Sequence, residues 1–71
     1  MKRRDLFMVI KNGKYYGHVT IEEDGTFMSH GSIGEGNVYR DAVDLFRNGL
    51  TGNGIDLDND IYWRIDENEN I

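Results

Sequence analysis

The sequence has 71 residues, neither proline nor cysteine, and a net charge of −5 from eight Lys+Arg and 13 Asp+Glu. That length predicts a single domain over 1–71, and the composition excludes a disulfide framework or a cysteine-built zinc site. No apolar run approaches the ~18 residues of a membrane span, no secretory signal is legible, and the acidic balance argues against direct nucleic-acid binding, which needs a basic face.

The first apolar segment, Leu6 to Lys11, ends at Asn12-Gly13, a strong hairpin signal. Lys14 to Glu22 then alternates, with Tyr15, Gly17, Val19 and Ile21 on one side and Tyr16, His18, Thr20 and Glu22 on the other. This period-two pattern reads as a strand. Glu23-Asp24-Gly25 is the next turn and Thr26 to His30 a third strand, which makes an antiparallel meander. A two-residue Asp24-Gly25 loop would set Ile21 opposite Met28. A three-residue loop with Gly25 left-handed, as a G1 bulge, pairs Ile21 with Phe27 and Glu22 with Thr26. The second register sorts apolar with apolar, and it predicts that His18 lies opposite His30.

Gly31 to Asn37 carries three glycines in seven residues and reads as a loop. Asn37 is a suitable N-cap for a helix over Val38 to Asn48. Tyr39, Ala42, Val43, Phe46 and Leu50 fall on one face of that helix, and Gly49 offers a left-handed stop. Thr51 to Asn59 is rich in turn residues. Asp60 to Asp66 alternates again, with Ile61, Trp63 and Ile65 inward and Tyr62, Arg64 and Asp66 outward. The order β-β-β-α-β predicts an α+β fold, a three-stranded meander with one helix packed on one face and a C-terminal strand.

One helix covers one face of a sheet, here expected to be the face of Tyr15, Val19, Ile21 and Phe27. The first strand is apolar on both sides, so surface near Tyr16, His18 and Met28 is left uncovered. Uncovered apolar surface marks interfaces, and a homo-oligomer is the expectation.

The stretch Ser29 to Asn37 is the most informative candidate site. Amides of a glycine-rich turn leading into a helix form a receptor for phosphate or carboxylate. Gly34 and Gly36 allow close approach, Ser32 and Asn37 offer donors, Arg40 lies in the first turn, and Tyr16, His18 and His30 complete the predicted ligand site. Glu35 counts against an anion, and the Gly-Lys-Ser/Thr ending of a P-loop is missing. The plainer reading is a connection whose glycines only turn the chain.

Other constellations carry less. The two histidines could join Glu22 or Glu35 around zinc or copper, yet no motif spacing requires it, and no metal or cofactor is expected. Asp56, Asp58 and Asp60 with Glu67 resemble a calcium loop, but its sixth place is Ile61 instead of glycine. No nucleophile–base–carboxylate set is indicated, so an enzyme is not expected. The acid-rich end (Asp56, Asp58, Asp60, Asp66, Glu67, Glu69) either meets a basic protein surface or keeps a small protein soluble.

In size, acidity, lack of cysteine and compact α+β layout, the chain loosely resembles the short proteins that phages encode against host defences. The resemblance covers general character and rests on no motif. It implies a cytoplasmic, non-enzymatic inhibitor of one of two kinds. The favoured kind, because the acidity is moderate for a nucleic-acid mimic, sequesters a small anionic, nucleotide-like signal, here at the glycine-rich loop. The other, as in many anti-CRISPR proteins, sets carboxylates where a defence nuclease expects nucleic acid. A plain structural or adaptor module is the third possibility.

Overall fold

A computed structural model describes residues 3–63. Five strands form one antiparallel sheet: β1 (Arg4–Lys11), β2 (Lys14–Ile21), β3 (Phe27–Gly31), β4 (Val38–Tyr39) and β5 (Ile61–Trp63), in the order β4-β3-β2-β1-β5. The fold is α+β with an antiparallel sheet, as the sequence predicts, but the α-helix is short and β4 is an additional strand. Of the expected last strand, Ile61–Trp63 pairs with Phe7–Val9 of β1, while Arg64, Ile65 and Asp66 lie outside the described residues.

Both hairpins turn where the sequence places them. Asn12 and Gly13 take positive φ of 55° and 78°, the type I′ geometry whose twist matches the flanking strands. Gly25 has φ 88°, Glu22 N–H bonds to Thr26 O at 2.8 Å, and Ile21 pairs with Phe27 and His18 with His30. The G1-bulge register is therefore the one adopted.

The first hairpin departs from simple alternation. β1 and β2 carry irregularities between Asp5 and Phe7 and between Val9 and Ile10, where Val9 faces Gly17 but Ile10 faces Tyr15. Tyr16 is the extra residue of the second bulge. The bulge exchanges the two tyrosines: Tyr16 packs half-buried against the core, and Tyr15 stands 57% exposed beside His18. This corrects the expected faces, in which Tyr16 was outward and Tyr15 inward. A bulge adds one residue to one strand and so inverts every alternation beyond it.

The helical region also departs from expectation. Asn37 does not cap a helix. Its carbonyl accepts from Ser29 N–H at 2.9 Å, and Val38 and Tyr39 pair with Met28 and Phe27. The cap is Asp41, whose Oδ1 accepts from Asp44 N–H at 2.8 Å, and α1 (Ala42–Asp44) widens directly into a π-helical turn over Leu45–Leu50. The wider winding changes which side chains point inward. Leu45 and Leu50 are buried, Phe46 is half-buried, and Val43, expected inward, is 66% exposed. Gly49 is no left-handed stop: it is buried in the π-turn, where a Cβ would lie 2.8 Å from Tyr39 Cζ. The left-handed stop is Gly54, after a 3-10 turn over Thr51–Asn53.

This segment covers one face of the sheet only. Phe7, Val9, Val19, Ile33, Tyr39, Leu45, Leu50 and Ile55 form the core beneath it. No helix among the described residues is long and apolar enough to cross a membrane.

Candidate functional site

The predicted ligand site separates into a glycine-rich loop and a histidine pair. In the loop, the amides of Gly31, Gly34 and Gly36 each have an acceptor inside the chain. Gly31 N–H donates to Glu35 Oε1 at 2.9 Å, Gly34 N–H to Gly31 O at 3.0 Å, and Gly36 N–H to Ser29 O at 2.8 Å. The Ser29 hydroxyl, fully buried, donates to Gly34 O. Ser32 is exposed. Arg40 is exposed, and its N–H donates to Asp44 Oδ2 at 3.2 Å, so the helix start holds the carboxylates of Asp41 and Asp44.

The chain's own carboxylates thus stand where a bound anion would. The Gly31 amide, and after it His30, hold the Glu35 carboxyl below its ordinary range. Asn48, then the Arg40 backbone, do the same for Asp44.

Ile33 is the residue of this loop that the sequence reading missed. It is 3% exposed and seats the loop over Gly17. A Cβ at Gly17 would strike the His30 carbonyl and lie 2.7 Å from Ile33 Cγ1. The available signal was a lone branched apolar residue among glycines, with Gly17 on the facing strand.

The histidine pair lies on the uncovered face. His18 and His30 stack with ring centroids 4.6 Å apart and planes 13° from parallel. Tyr15 OH meets His18 Nδ1 at 2.5 Å. Thr20 Oγ1, whose residue is 2% exposed, contacts both Glu22 Oε2 at 2.5 Å and His30 Nε2 at 2.9 Å. A hydroxyl has one proton. If it goes to the Glu22 carboxylate, Nε2–H of His30 is the donor to Thr20. Glu35 Oε2 stands 3.4 Å from the other nitrogen, Nδ1. Thr20, with Arg3 at 2.9 Å, lowers the Glu22 carboxyl below its ordinary value. Among the described residues, no group of three or more His, Cys, Asp or Glu is placed to hold a metal ion.

Beside His18, at the β1–β5 side of the sheet, lies a cleft of about 320 Å³ lined, among the described residues, by Met8, Tyr15, His18 and Tyr62 with Asp5, and by Phe7 and Trp63, which are register partners on the covered side. Met8 pairs across the strands with both His18 and Tyr62, which brings β1, β2 and β5 together there. Trp63 meets Phe7 edge-on, centroids 4.8 Å apart, yet is 55% exposed. The sequence pointed to Tyr62 as outward-facing but not to the cleft, because the cleft needs Tyr15 turned outward by the bulge and β5 placed beside β1.

The acidic candidates divide as well. Asp56 accepts from Asp58 N–H and from Asn59, Asp60 Oδ2 accepts from Asp56 N–H at 3.0 Å, and Lys11 Nζ reaches Gly54 O at 2.6 Å. Asn59 and the Asp58 amide, in that order, lower the Asp56 carboxyl. Asp56 and Asp60 therefore shape a turn, and Asp58 is exposed on it. Asp66, Glu67 and Glu69 lie outside the described residues. Comparison of the chain with protein-family models, curated proteins and solved structures found no match.

Proposed function

We propose that this chain is a non-enzymatic binding protein whose working surface is the uncovered face of its sheet, and that its target is a basic protein surface. The observation that carries the reading is the contrast between filled and open recognition elements. The Gly31 amide is occupied by Glu35, those of Gly34 and Gly36 by backbone carbonyls, and the helix start by Asp41 and Asp44, whereas Met8, Tyr15 and Tyr62 stay 44–57% exposed on one side of a small domain. Exposed aromatic residues of this kind serve as hot spots, and an acidic chain is steered to a basic partner. In the counter-defence setting that the chain resembles, such a partner is the nucleic-acid channel of a nuclease. The same face also suits self-association, and light scattering at micromolar concentration separates an 8.2 kDa monomer from a dimer.

Sequestration of a nucleotide-like anion at Gly31–Asn37 is the second reading, favoured by the glycine-rich geometry and by two imidazoles beside it. It requires Glu35 to leave the Gly31 amide. One experiment separates the two. In a panel of guided nucleases, the basic-partner reading expects competition with nucleic acid that weakens as salt rises. Absence of competition, together with a rise of several degrees in Tm on adding cyclic di- or trinucleotides, would establish the second reading in its place.

A further inference from the structure

We infer that Asn12, at the tip of the β1–β2 hairpin, is a site of spontaneous deamidation, and that the fold protects the other Asn-Gly pairs. The sequence holds three such pairs, Asn12-Gly13, Asn48-Gly49 and Asn53-Gly54. In each, the glycine nitrogen can close a five-membered ring on the asparagine side chain, and glycine has no side chain to obstruct it. The deprotonated nitrogen bonds to the asparagine Cγ, the Cγ–Nδ2 bond breaks, and Nδ2 leaves as ammonia. Water then opens the succinimide. Addition at Cγ gives aspartate, and addition at the main-chain carbonyl carbon gives isoaspartate. One water enters for each ammonia released, and nothing else is consumed.

The three pairs differ in what must be given up before the ring can close. Asn48 Nδ2 donates to Asp44 Oδ1 at 2.6 Å, and Gly49 is buried in the π-helical turn against Tyr39. Ring closure there means unwinding a turn that also buries Leu45 and Leu50. Asn53 is exposed, yet its Nδ2 donates to Gly49 O at 2.9 Å and to Asn48 O at 3.2 Å. Gly54 N–H donates to Thr51 O at 3.1 Å, so the leaving amide and the attacking nitrogen of that pair are both held.

The hairpin tip is different. Asn12 and Gly13 are exposed, and a Cβ added at Gly13 would meet nothing within 4 Å. Lys11 and Lys14 flank the pair, and positive charge nearby favours the amide anion that attacks. Loop tips also open at a lower free energy than core segments. Deamidation adds a carboxylate between the two lysines. The isoaspartyl product, in addition, inserts Cβ into the main chain of a two-residue turn whose type I′ geometry sets the pairing of Lys11 with Lys14. That product should melt below the unmodified chain.

The full chain is incubated folded and, in parallel, in denaturing urea, at mildly alkaline pH and body temperature. Peptide mass mapping follows the exchange of –NH2 for –OH at each asparagine. In the folded chain, Asn12 should react at least ten-fold faster than Asn48 or Asn53. In urea the three sites should react at similar rates, because each is followed by glycine. Asn12→Asp, which keeps a turn-forming residue but has no amide to lose, should abolish the early mass gain. Equal rates at Asn12 and Asn53 in the folded chain would overturn the protection assigned to the hydrogen bonds. No reaction at Asn12 in the folded chain, while all three sites react in urea, would overturn the assignment of the tip. Isoaspartyl chain, separated by chromatography, that melts together with the unmodified chain would overturn the effect on the turn.

Discussion

The two faces of the sheet are built from the same strands and differ in nearly every physical respect. On the covered face, Phe7, Val9 and Val19 meet Leu45, Leu50 and Ile33, all at most 3% exposed. On the other face, alternate positions of the same strands carry Met8, His18, Thr20 and His30, with polar atoms paired sideways along the sheet. Period-two alternation lets one strand serve a core and a surface without compromise. A domain this short buries only about 60% of its unfolded surface, so one face must supply most of the stability, which leaves the other face available for recognition.

Substitutions should divide along the same line. The largest effect belongs to Leu50→Ala, which leaves a cavity at a side chain that is 0% exposed. A loss of about 2–5 kcal/mol is expected, enough to unfold much of a small domain, and urea denaturation measures it. An equal loss from Met8→Ala would break the contrast. Gly17→Ala comes next, since its Cβ collides with the His30 carbonyl and with Ile33. Overpacking of this kind costs roughly 1–3 kcal/mol, and it should also lift the loop, seen as faster amide exchange at Gly34 and Gly36. Asp41→Ala removes the cap on Asp44 N–H and should cost ~1 kcal/mol by the same denaturation assay.

A smaller effect concerns pH. The Glu35 and Glu22 carboxyls titrate lower in the folded chain than in an unfolded one, chiefly through the Gly31 amide and the Thr20 hydroxyl. Their contribution to stability is therefore complete above the ordinary carboxylate range and is lost as pH falls through and below it, near pH 4. Melting temperature should drop between about pH 5 and 3, and Glu35→Gln should flatten part of that drop. Smallest of all is Tyr62→Ala, at a half-exposed position, with a stability change within about ±0.5 kcal/mol. A large loss there would mean that the uncovered face also holds the fold together.

Much of the meander was legible because its determinants are local. Asn12-Gly13 and Gly25 set two turns, and the sorting of Ile21 with Phe27 chose between registers one residue apart, so the meeting of His18 and His30 followed. The helix start was not legible. Asn37 and Asp41 are both good caps, and the choice fell to β3, whose open edge recruits Val38 and Tyr39 as a strand. Likewise, nothing in Tyr15-Tyr16 says which ring faces out until β1 supplies the bulge.

The sequence alone determined the α+β class, the hairpin turns, the pairing of the two histidines and the acidic character, since each depends on backbone preference or charge within a few residues. Tertiary structure decided which tyrosine lines the cleft, where the helix begins, that β5 lies beside β1, and that Glu35 and Asp44 take the Gly31 and Arg40 amides. Those outcomes depend on contacts between residues distant in the chain, where packing and hydrogen-bond satisfaction outweigh the local preferences that a linear reading can weigh.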